Sequence, residues 1–197
     1  MNRVILYHAT LPGRLGAADL SAFQERLPYA KRVGLAASRP ERELSLAGIA
    51  LALAAAKALG HPAPPESLRF PAGERPHFLA CAPAFSISHS GRTVVAAATD
   101  AGAIGVDVED PAESSLTDPV RREWSAREAA AKAFGVGLRD AAGIRVDGDR
   151  AWLSDRSVNL LALEISSREV WLASDFPAPV VECLAVDLST ELRRHAA

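Results

Sequence analysis

The sequence has little cysteine. Among 197 residues there are two, Cys81 and Cys183, far apart and with no CxxC spacing. That excludes a disulfide framework and a thiolate zinc site. It also has no excess of either charge. Lysine and arginine total 22 against 24 aspartates and glutamates, a formal net charge of −2. A broad basic footprint for nucleic acid is therefore missing, and no nucleic-acid partner is expected, although a local basic pocket stays open. Long apolar runs are missing too. The most hydrophobic stretch, Leu44 to Leu59, contains Lys57 and is shorter than the ~20 residues of a membrane span. It reads as a buried helix. The first ten residues, MNRVILYHAT, hold too short an apolar segment for a signal peptide and read as a strand. A soluble, cytoplasmic monomer is the expectation. Hydrophobic residues make up 49% and charged residues 23%, the balance of a globular chain that folds as one unit or two small halves.

Periodicity and punctuation give the order of elements. A strand is predicted at Val4–Tyr7 and a short helix at Ala17–Arg26. A basic connector follows at Tyr29–Arg42, then a long helix over Glu41–Leu59, stopped by Gly60, His61 and Pro62. After a proline-rich loop, residues 85–90 and 93–99 flank Gly91-Arg92 as a hairpin. Residues 103–110 alternate small or apolar residues with acids. A second helix is predicted from Asp118 as N-cap, with Pro119 in its first turn, to Gly135. Five β-type runs and a short tail helix close the chain. Each half reads as a long helix followed by a meander, so the fold class expected is α+β, with halves 1–101 and 102–197.

Three stretches carry residues suited to chemistry. In Gly105-Val106-Asp107-Val108-Glu109, strand alternation projects Asp107 and Glu109 to one side. Two like charges there require solvent, a basic partner or a cation, and hard carboxylate oxygens suit magnesium. A plain solvated strand face fits the same pattern. On the second helix, Glu128 and Lys132 stand at i and i+4. They flank an apolar stripe of Val120, Trp124, Ala131 and Phe134, where a carboxylate can join a metal site. An ordinary exposed salt bridge fits equally. In Phe85-Ser86-Ile87-Ser88-His89-Ser90-Gly91, the three serines share one strand face, and Ile87 and His89 share the other. Serines and a histidine before a glycine turn can gather phosphate oxygens. No GxSxG elbow is present, which argues against a serine nucleophile.

The order SISHSG, then GVDVE, then Trp124-Ser125-Ala126-Arg127-Glu128-Ala129-Ala130-Ala131-Lys132 resembles the three motifs of the 4′-phosphopantetheinyl transferases of the larger Sfp type. Glu74-Arg75-Pro76 is similar to that family's Gly-Lys-Pro. The resemblance implies two similar α+β halves with the site in the cleft between them. It implies transfer of 4′-phosphopantetheine from coenzyme A to a serine of an acyl or peptidyl carrier protein. Asp107, Glu109 and Glu128 would hold Mg2+, and Glu128 or a water beside it would take the serine proton. Asp107 and Lys132 would complete the catalytic set. Lys31, Arg42, Arg75, Ser88 and His89 would contact coenzyme A. The alternative is a catalytically weak or inactive relative that binds coenzyme A or a carrier protein without turnover.

The chain departs from the family pattern in two places. Leu44 stands where an arginine is usual, with Arg42 as its nearest substitute. Only residues 110–117 separate the acidic motif from the second helix, where the family has a longer segment that helps to dock the carrier. The shorter connection still reaches. Residues 109–118 span up to ~30 Å when extended, and the helix returns about 15 Å between Asp118 and Glu128. The three carboxylates can therefore meet, while carrier recognition is expected to be weak or narrow.

Overall fold

The computed structural model describes residues 2–11, 15–28, 39–71, 75–79, 83–112 and 114–196. Lys31, Glu74 and Cys81 lie outside the described residues. The fold is α+β. A four-stranded sheet has the order β11-β1-β5-β4, formed by Val180–Ala185, Arg3–Thr10, Thr93–Thr99 and Ala84–Ser90. A five-stranded antiparallel sheet has the order β6-β10-β9-β8-β7, formed by Ile104–Val108, Arg168–Ser174, Arg156–Ile165, Arg150–Leu153 and Arg145–Asp147. Leu68–Arg69 (β2) and His77–Phe78 (β3) make a small ribbon. The described helices are α1 (Ala17–Glu25), α2 (Arg39–Ala58), α3 (Asp118–Phe134) and α4 (Leu188–Ala196).

Alternation along the strands produces the layers. Val4, Leu6, Val95 and Ala97 leave one face of the first sheet and pack against Ile104, Val106, Val108, Val170 and Leu172 of the second. The opposite face of the first sheet, with Ile5, Val94, Ala96 and Ala98, is covered by the alanine- and leucine-rich α2. The opposite face of the second, with Val158, Leu160 and Ala173, is covered by α3. The result is a helix–sheet–sheet–helix stack in which β6 is buried along its whole length. The position expected to divide the halves, Ala101, falls in the turn between β5 and β6. The chain later crosses back: β11 pairs in parallel with β1, and α4 packs on α1 and α2.

Helix α3 differs from the expectation at its start and on its faces. Its N-cap is Thr117, in extended conformation and without a side-chain cap bond, one residue earlier than expected. The buried residues are Ser125, Ala126, Ala129, Ala130, Ala131, Ala133 and Phe134, so Ala131 and Phe134 of the expected stripe are buried, while Val120 is 50% exposed and Trp124 only half-buried. Small residues displaced the larger ones because the helix backbone lies almost on β6. A Cβ placed on Gly105 would stand 2.0 Å from the Ala129 carbonyl oxygen and 2.7 Å from the Ala133 nitrogen. Only glycine allows that approach. The helix ends as predicted, with Gly135 in the left-handed conformation at φ 74°.

Candidate metal centre

Close packing of α3 on β6 brings the two acidic motifs together. One ligand oxygen from each of Asp107, Glu109 and Glu128 lies within 4.8 Å of the others. Asp107 is 1% exposed, and its carboxylate is surrounded by donors. Ser88 donates to Oδ1 at 2.8 Å. Lys132 Nζ donates to the same oxygen at 2.7 Å and to the Val106 carbonyl at 2.9 Å. Ser125 donates to Oδ2 at 2.7 Å. The i, i+4 pairing of Glu128 and Lys132 is thus not an exposed salt bridge. Both side chains are partly buried, and the lysine reaches into the strand.

The charge count of this cluster is unbalanced, because three carboxylates face one ammonium. The consequence appears in Glu128, whose pKa is raised to about 7 by burial first and by Asp107 second, with Lys132 opposing. Glu109 is also raised, by burial and then by Asp107, with Lys132 and Arg121 opposing. All six carboxylate oxygens are hard donors, the chemistry that Mg2+ and Ca2+ select. The residues present therefore fit a divalent cation.

The serines of β4 have a use that strand alternation alone did not identify. Ser86 Oγ accepts from the Val106 backbone at 3.0 Å, Ser88 bonds Asp107, and Ser90 Oγ accepts from the Asp110 backbone at 2.9 Å. This row joins the edge of the first sheet to β6 of the second, side chain to strand. Ser88 is 8% exposed and its hydroxyl is given to Asp107, so its place is beneath the acidic cluster, inside the protein. His89, one residue on, is exposed on the opposite face. Asp110, just after Glu109, is anchored by Arg168 at 2.7 Å and accepts from the Ala112 backbone at 3.0 Å.

The remaining residues selected from the sequence lie elsewhere. Arg75 lines a cavity of about 580 Å³ with Pro76, Phe78, Phe85, Phe134 and Gly135. It packs against Gly135, past the C-terminal end of α3, and none of the three acids lines that cavity. Burial lowers its pKa, with Arg156 adding to the effect and Asp175 opposing it. Arg42 reaches Ser21 on α1 at 3.5 Å. Leu44 packs against the α2 core. A second cavity, of about 250 Å³, opens beside the cluster and is lined by Glu109, Ser125, Arg121, Arg122, Glu169 and Trp171.

Ser125 is the residue that the sequence reading passed over. Its signal was available: 125, 128 and 132 stand at i, i+3 and i+7 and share one helix face. No described helix is long and apolar enough to cross a membrane. A scan against protein-family models and a search of curated proteins each find no match to this chain.

Proposed function

We propose that the chain is a magnesium-dependent transferase that moves 4′-phosphopantetheine from coenzyme A to a serine hydroxyl of an acyl or peptidyl carrier protein, releasing adenosine 3′,5′-bisphosphate. The observation that carries this reading is the convergence of Asp107, Glu109 and Glu128 within 4.8 Å, from two motifs whose order along the chain matches that family. In this reading the two sheets with their helices are the two similar halves, and the acidic cluster lies in the cleft between them.

Asp107, Glu109 and Glu128 would hold Mg2+, which supplies charge stabilisation to a pyrophosphate when bound. The chain's own residues supply the rest. Glu128, or a water beside it, would accept the proton of the incoming serine. The serine oxygen forms its bond to the β-phosphorus of coenzyme A as the bond to the bridging oxygen breaks. The leaving group departs as adenosine 3′,5′-bisphosphate. Lys132 has three N–H donors and spends two on Asp107 and the Val106 carbonyl, which leaves one for a phosphate oxygen. Lys31, Arg42, Arg75 and His89 are the candidates for the outer phosphates of coenzyme A.

The test is mass spectrometry of several apo carrier proteins incubated with the enzyme, coenzyme A and Mg2+. A mass gain of one phosphopantetheine group on a carrier is the expected result. Binding of coenzyme A with no gain on any carrier would favour the non-catalytic relative.

A further inference from the structure

We propose that Ser125 and Ser88 are positioning residues for Asp107, which lock its carboxylate so that one face of Oδ2 is kept for the cation shared with Glu109 and Glu128. The inference rests on reading the acidic cluster as a cation site.

The argument is a count of acceptor positions. A carboxylate has about four lone-pair sites, two on each oxygen. On Oδ1 both are taken, by Ser88 at 2.8 Å and Lys132 at 2.7 Å. On Oδ2 one is taken, by Ser125 at 2.7 Å. Three donors from two elements (β4 and two turns of α3) therefore fix the rotation of the group about its last torsion. The position left over belongs to Oδ2, and one ligand oxygen of Asp107 lies within 4.8 Å of those of Glu109 and Glu128. Both hydroxyls are nearly sealed from water, Ser125 at 2% and Ser88 at 8% exposure, so neither donor exchanges readily with solvent. The two serines differ in what remains if one is lost. Without Ser88, Lys132 still holds Oδ1. Without Ser125, Oδ2 has no partner from the protein other than the acids themselves, and the carboxylate can turn. Ser125 is accordingly the stronger of the pair. Partners of this kind behind a ligand typically change metal affinity by about 10- to 100-fold.

The experiment is Mn2+ binding to the metal-free full-length chain, followed by electron paramagnetic resonance of the free ion, for wild type, Ser125→Ala, Ser125→Thr and Ser88→Ala. Thermal midpoints are recorded alongside. The expected result is about tenfold or greater weakening in Ser125→Ala, a smaller weakening in Ser88→Ala, and recovery in Ser125→Thr, which restores the hydroxyl. Wild-type affinity in folded Ser125→Ala would overturn the proposal. Equal weakening in the Thr and Ala variants would do the same, because packing and not the hydroxyl would then be responsible. If the wild-type chain itself binds no Mn2+, the cation reading of the cluster falls, and this proposal falls with it.

Discussion

Asp107 and Asp110 are two buried aspartates three positions apart, and they are handled in opposite ways. Asp110 meets a guanidinium, Arg168, at 2.7 Å. That bond, with the Ala112 amide, holds its carboxyl below the usual range. Its charge is balanced locally, and its effect is structural: it ties the 110–117 connection to β10. Asp107 is bonded to two serines and one lysine, but two further carboxylates crowd the same point. There the negative charge is in excess, and the strain is displaced onto Glu128, raised to about 7. A fold gains nothing in stability from such an imbalance. Hydrogen bonding alone does not separate the two aspartates, since both are well supplied. The charge count does: Asp107 belongs to the group of three acids that could hold a metal ion.

This contrast is testable by breaking each side of it. The largest effect is expected for Asp107→Ala: loss of at least about 100-fold in magnesium-dependent turnover, equivalent to the several kcal/mol a Lewis acid supplies. The variant should fold with a lowered melting temperature, because Ser88, Ser125 and Lys132 lose the carboxylate they donate to. Full activity in that variant would remove Asp107 from the metal site. Next is Asp110→Asn, which leaves Arg168 without its carboxylate. Chemical denaturation should show a loss of about 1–3 kcal/mol, with Mn2+ affinity altered far less than in Asp107→Ala. A reversed pattern would mean that the two aspartates have been assigned the wrong way round.

A smaller effect is expected from Glu128→Gln in the metal-free protein. The folded-state pKa of Glu128 lies above its ordinary 4.5. Ionising it therefore works against folding: stability is intact below about pH 4.5 and is lost as pH rises through about 7. The glutamine variant should melt higher than wild type at pH 8 without metal, and Mg2+ should reverse the order. The smallest effect lies far from the cluster. His195, on α4, is lowered to about 4, chiefly by burial, with Arg194, Arg26 and Lys57 adding to it. Its sign is opposite. Stability from this group is present above about pH 6.5 and declines as pH falls towards 4. Melting curves of His195→Gln should be flatter than wild type in that window, while those of Glu128→Gln should not.

Much of the framework was legible because it is local. The Gly91-Arg92 turn marked the β4–β5 hairpin, alternation marked β6, and Gly135 marked the end of α3. The resemblance of the ordered motifs, rather than their spacing, singled out Asp107, Glu109 and Glu128, which the fold brings together. What was not legible depends on packing between distant segments. Nothing in 180–185 announces a parallel partner 177 residues earlier, as in the pairing of Arg3 with Val180. Ser86, Ser88 and Ser90 were correctly placed on one face, but their partners on β6 come from the stacking of two sheets. Of the apolar stripe expected on α3, Ala131 and Phe134 are buried, whereas Val120 is exposed and Trp124 only half-buried. The contact at Gly105 is too close for them, so alanine and serine face the strand, and Val120 and Trp124 turn outward. The same close approach places Ser125 on Asp107.

A cation held by the three acids around Asp107 would leave a direct signature. The most direct measurement is an anomalous difference map from a crystal of the protein grown or soaked with Mn2+. The account predicts a single strong peak coordinated by Asp107, Glu109 and Glu128, with Asp107 contributing Oδ2 and its Oδ1 still bonded to Ser88 and Lys132. A cluster without a peak in a protein saturated with Mn2+, or a peak bound at other residues, would contradict it.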